Sequence, residues 1–127
     1  MNDENTLQKL VADETELSKG LLFDVLASYV RIGNKTGSPL FTPEFGRLTN
    51  PGKIIVFSLA RKAAISLGLS KSSESATPTE ISEATGIPYD SVKPTVSDLA
   101  RKHILVRDSG RYFYPNHLIL QARELIK

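Results

Sequence analysis

Apolar positions in the first thirty residues recur three and four apart: Leu7, Leu10, Val11, Leu17, Leu21, Leu22, Val25, Leu26, Tyr29 and Val30. That spacing predicts a helical leader, with Gly20 as a candidate break. Gly33, Asn34 and Gly37 end the pattern, and the proline- and glycine-rich stretch 38–52 reads as an irregular connection that packs Leu40, Phe41 and Phe45. Asn50 followed by Pro51 reads as an N-cap with a first-turn proline. It opens a strongly apolar helix over 53–69, whose Ile54, Phe57, Ala60, Ala64 and Leu67 share one face. This helix is expected at the centre of the core, and the polar SKSSES at 70–75 is a linker.

Thr77-Pro78-Thr79-Glu80 combines a capping box with a first-turn proline. The Thr77 hydroxyl can accept from the amide of Glu80 while the carboxylate reaches back. Ile81 and Ala84 are expected to face inward, and Gly86 closes the helix as a residue able to take positive φ. Ile87 is extended because Pro88 restricts it. A further helix carries Val92, Val96 and Leu99 on one buried line. Two β-prone runs in 104–114 surround Asp108-Ser109-Gly110 and read as a hairpin, with the rings of Tyr112 and Tyr114 in the core. Asn116 is read as the cap of a final helix bearing Leu118, Ile119, Ala122, Leu125 and Ile126.

Pro94 lies within the helix defined by Val92, Val96 and Leu99. Proline is tolerated in a first turn but costs roughly 3 kcal/mol deeper inside, so the helix is expected to begin near Ser91, capped by Asp90 or Ser91. A rotation of about 100° per residue then places Asp90, Pro94, Ser97 and Arg101 opposite the buried line, with Lys93 and Lys102 on the flanks. Pro94 either offers an apolar ring for contact with a thymine methyl or a sugar, or simply fixes where the helix starts.

The chain has 127 residues, enough for one domain with a real core. It contains no cysteine, which excludes thiolate metal sites, thiol nucleophiles and disulfides, and the reading is of a cytoplasmic protein. The acidic start lacks the features of a signal peptide, and the most apolar run, 54–60, is too short to span a bilayer. A net charge of +2 decides little, but its distribution is uneven. Residues 1–24 hold two basic and six acidic side chains, 25–76 seven basic and two acidic, and 77–127 seven basic and six acidic. Two histidines, His103 and His117, make no metal-ligand spacing; His103 is read as ending its helix in the left-handed region. No phosphate loop, dinucleotide fingerprint or nucleophile elbow is present, so no enzyme, cofactor or metal is expected.

Over 77–114 the chain resembles winged helix-turn-helix transcription regulators of the MarR and ArsR kind, through TPTEISEATGIP, DSVKPTVSDLARKHILV and RDSGRYFY. It departs from them at His103, where such regulators usually carry glycine. The implied fold class is mainly α with a small β-hairpin wing (α+β). Residues 1–49 form a helical extension and connecting loop, 50–114 the winged helix-turn-helix, and 115–127 a C-terminal helix. The implied function is sequence-specific binding of double-stranded DNA by a transcriptional regulator acting as a homodimer.

In that reading Lys93, Arg101, Lys102 and Arg111 contact phosphates, while Tyr89, Lys93, Ser97 and Arg101 read bases, with Pro94 on the same face. Arg107 and Arg111 flank the wing turn, where a cation can enter the minor groove, and Arg61 and Lys62 extend a broken basic surface. The surplus of apolar residues in the leader and last helix points to dimerisation through the terminal helices. The alternative is a winged-helix protein-interaction module, or a subunit of a nucleic-acid-processing complex, suggested by Asp90 and Asp98 on the reading helix and by the acidic leader. No residue identifies a small-molecule effector.

Overall fold

The structure is a computed structural model that describes residues 3–11 and 14–126, with side chains described for 6–11 and 19–126. It is a mixed α/β arrangement, mostly helical, with small antiparallel hairpins. The leader forms α1 (Asp3–Gln8) and α2 (Glu14–Leu26), and α2 runs through Gly20 without a break. Leu22, Val25 and Leu26 are buried, whereas Leu7, Leu10 and Val11 are exposed.

The helical pattern does not extend to Val30 as the spacing predicted. Val30 begins β1 (Val30–Ile32), which pairs antiparallel with β2 (Pro39–Phe41) in the register Val30↔Phe41 and Arg31↔Leu40. Val30 is buried and Arg31 exposed, so the period here is two, which a helix-spaced reading of Tyr29 and Val30 conceals. Leu40, opposite Arg31, is exposed rather than packed. The connection over 38–52 is therefore partly regular: after β2 comes α3 (Pro43–Gly46), whose buried Phe45 stacks on Phe41 at 3.8 Å between ring centroids. Gly37 holds φ +72°, and a Cβ there would meet the Leu69 carbonyl oxygen at 2.6 Å, so this turn admits only glycine.

The central helix is α4 (Asn50–Ser66). Its cap is Thr49, which accepts from the Gly52 amide at 3.4 Å, one position before the predicted Asn50. Residues 54–60 are all buried, as befits a helix enclosed on every side, while Leu67 lies past its end and is exposed. Thr77 caps α5 (Pro78–Thr85), its hydroxyl accepting from the Glu80 amide at 3.2 Å, and Gly86 follows at φ +79°. The inward line of α5 runs from Ile81 through half-buried Thr85 to buried Ile87, which turns Ala84 outward, against expectation.

The helix α6 (Tyr89–Arg101) starts two residues earlier than predicted. The Pro88 carbonyl accepts from the amides of Ser91 and Val92 at 2.9 and 3.0 Å, closing the first turn. Pro94 is thus inside the helix, where the missing amide leaves the Asp90 carbonyl without its usual partner. Asp90 and Pro94 are both exposed, so water can serve that carbonyl, and the burial of Val92, Val96 and Leu99 outweighs the defect. At the other end the amides of His103 and Ile104 bond to Ala100 and Leu99 carbonyls at 3.0 and 2.9 Å, a Schellman closure with His103 at φ 62°.

Strands β3 (Val106–Asp108) and β4 (Arg111–Phe113) pair around Ser109 and Gly110, both at positive φ, as a two-residue I′ turn requires. Ala76 bridges to Tyr112 on the free side of β4. Tyr112 and Tyr114 are buried, as expected. The last segment is a 3₁₀ turn (Asn116–Gln121) followed by α7 (Ala122–Leu125), not one helix capped by Asn116. Its Ile119, Ala122 and Ile126 are buried in the same core as α2 and α4, so this stripe is covered within the chain and is not surplus.

Candidate nucleic-acid interface

The phase of α6 decides what it presents. Val92, Val96 and Leu99 are held against α4 and α5, which leaves Tyr89, Lys93, Pro94, Ser97 and Arg101 exposed on the outer side with Lys102 beside them. The Lys93 ammonium lies 5.8 Å from the centre of the Tyr89 ring, a cation–π pair that orients both at the start of the helix. The face carries a polar hydroxyl, two aromatic or apolar rings and three cations, groups able to meet base edges and phosphates.

Asp98 changes the electrostatics of this face. Its carboxylate pairs with Arg101 and with Lys102, each at 3.0 Å. The hydrogen bond from Lys102 is the largest influence on the carboxyl; with the charges of Lys102 and Arg101 it outweighs desolvation and holds the pKa below its ordinary value. Two of the three cations on this face are therefore already engaged.

Among the described residues, the two arginines of the β3–β4 hairpin differ in their partners. Arg107 is exposed on β3, next to the Ser109-Gly110 turn. Arg111 is turned inward instead: it donates to the Ser75 hydroxyl and carbonyl at 3.1 and 3.0 Å and pairs with Glu80 at 3.0 Å. Glu80 also takes Arg61 at 3.3 Å, so its carboxylate binds two arginines rather than reaching back to cap α5. Lys62 is buried between Glu74 at 2.8 Å and the Asn116 side chain at 2.6 Å. Of the broken basic surface expected from Arg61, Lys62, Arg107 and Arg111, Arg107 alone is exposed, because the other three bolt the 70–77 linker and the hairpin onto α4 and α5. Glu80 as the hub of that network was hidden in the sequence by its more obvious capping position.

Away from α6, a mainly apolar groove of about 460 Å³ lies between α2, β1 and the end of α4, lined by Leu22, Phe23, Leu26, Val30 and Leu67, with Lys19 and Arg31 also on its walls. Among the described residues no group of His, Cys, Asp and Glu is arranged to hold a metal, and no helix is long and apolar enough to cross a membrane. Comparison with protein-family models, with curated proteins and with solved structures finds no match to this chain.

Proposed function

We propose that residues 50–114 form a winged helix-turn-helix and that the protein is a sequence-specific, duplex DNA-binding regulator acting as a homodimer. The supporting order is α4, the Ala76 bridge, α5, the Gly86 turn, α6 and the β3–β4 hairpin. The observation that carries the reading is the exposed outer face of α6 beside a wing that projects Arg107. Laid in a major groove, this face directs Tyr89, Pro94 and Ser97 at base edges, Lys93 and Arg101 at bases or phosphates, and Lys102 at the backbone. Arg107 reaches the minor groove alongside. Arg111, engaged by Ser75 and Glu80, supports the wing rather than touching DNA.

Selection of bound sequences from random duplex DNA tests this reading. Enrichment of a pseudo-palindromic motif is expected, and recovery of no preferred sequence overturns it. The second reading, a protein-interaction winged helix, is favoured by one observation: Asp98 engages both Arg101 and Lys102 and halves the charge that this pair would otherwise offer to phosphate.

A further inference from the structure

We propose that Glu80 is a positioning residue: its carboxylate locks the β3–β4 hairpin to the frame that carries α6, and so sets where Arg107 stands relative to the α6 face. Its consequence for recognition rests on the proposed DNA contacts and not on the homodimer. Strand β3 is exposed along its whole length, so the hairpin is held mainly through β4. In the middle of β4, buried Tyr112 bonds to Ala76 through its amide and carbonyl at 2.8 and 2.9 Å. At the tip, Asp108 and Arg111 face each other across the Ser109-Gly110 turn. Among the described residues, Arg111 alone carries a side-chain hydrogen bond or ion pair from the hairpin to the rest of the fold.

Glu80 gives that anchor its direction. Its Oε1 takes the Arg111 guanidinium at 3.0 Å, and its Oε2 takes Arg61 at 3.3 Å. Arg61 belongs to α4 and is fixed in turn by the Ser73 carbonyl at 2.7 Å. Helices α4 and α5 are the two against which Val92, Val96 and Leu99 of α6 are buried, so hairpin and α6 face are referred to one frame. The three charged side chains are only 20–35 % exposed, and salt screens them less than it would a surface pair. Without the carboxylate charge, two guanidiniums that both stand within 3.3 Å of Oε2 confront and repel each other. The remaining bonds from Arg111 lead to Ser75, beside Ala76, which is itself paired to the hairpin. The tip can then swing away from α4 about the Tyr112 bridge, carrying Arg107 with it.

Spin labels on cysteine pairs of the full chain, which has no native cysteine, test this without DNA. Ser97→Cys with Arg107→Cys spans the α6 face and the hairpin, and Ser97→Cys with Ser66→Cys spans α6 and α4 as a check of the fold; all three positions are exposed. In an otherwise native chain each pair is expected to give one narrow distance distribution. Adding Glu80→Gln is expected to broaden the first and leave the second unchanged. An unchanged first pair, or broadening of both pairs alike, overturns the proposal. With duplex DNA, Arg107→Ala is expected to weaken binding at least about threefold more in the native chain than in Glu80→Gln, while Lys93→Ala weakens both equally. Equal losses from Arg107→Ala in the two backgrounds overturn the proposal. A native chain that binds no duplex overturns the DNA reading instead, and the spin-label distances then decide the positioning role alone.

Discussion

Replacing Asp98 by asparagine removes one negative charge from the outer face of α6 and releases two cations with little change of shape. The carboxylate holds Arg101 and Lys102 at 3.0 Å each, and their side chains are 75 % and 63 % exposed, so once freed both can reach a phosphate. Each phosphate neutralised adds about 0.9 to the slope of log affinity against log salt, so two released cations steepen it by up to about 1.8. The advantage of Asp98→Asn over the native chain should then grow about tenfold as salt falls from about 200 to about 50 mM. Fluorescence anisotropy with a labelled mixed-sequence duplex measures both chains across that range. A variant that binds no more tightly than the native chain, with an unchanged slope, refutes the assignment of Arg101 and Lys102 to the DNA backbone.

Other consequences concern stability and titration. His103→Gly should raise the melting temperature by a few degrees, about 1 kcal/mol, because glycine holds the φ of 62° without strain; calorimetry showing no gain or a loss counts against the Schellman closure. Pro94→Ala restores the amide to the Asp90 carbonyl and should stabilise by about 2 kcal/mol after allowing for the freer unfolded chain; denaturant unfolding with no gain argues against a helix that starts at Tyr89. Burial pushes the Tyr114 phenol up from 10.0 to about 12, and its hydroxyl donates to the Leu118 carbonyl. The neutral form is the one the fold prefers, so its contribution is complete below pH 10 and lost as pH rises to about 12. Ultraviolet absorbance should show one tyrosine ionising at about 12, and its absence in Tyr114→Phe identifies the residue.

The elements that bear local chemical signals were legible. Thr77, Gly86, the line Val92, Val96, Leu99 and the Ser109-Gly110 turn each state their conformation through a cap, a positive φ or a phase, and the structure places α5, α6 and the hairpin accordingly. Elements decided by tertiary contact were not. Val30 continues a helical spacing in sequence, yet pairing with Phe41 draws it into a strand. Pro94 signals a late helix start, but burial of Val92 and the Pro88 carbonyl carry the helix back to Tyr89. The exposure of Asp90, Pro94, Ser97 and Arg101, with Lys93 and Lys102 on the flanks, followed from phase alone. That Arg111 and Arg61 converge on Glu80 did not, since ion pairs between distant segments leave no periodic trace.

Binding of the native chain to mixed duplex DNA across a salt series tests the central claim most directly. If α6 and the wing meet DNA, affinity falls as salt rises, with a slope of about −0.9 for every phosphate contacted by Lys93, Arg107 and any cation that leaves Asp98. Binding that is absent at low salt, or insensitive to salt, contradicts the account and favours a protein partner for the α6 face.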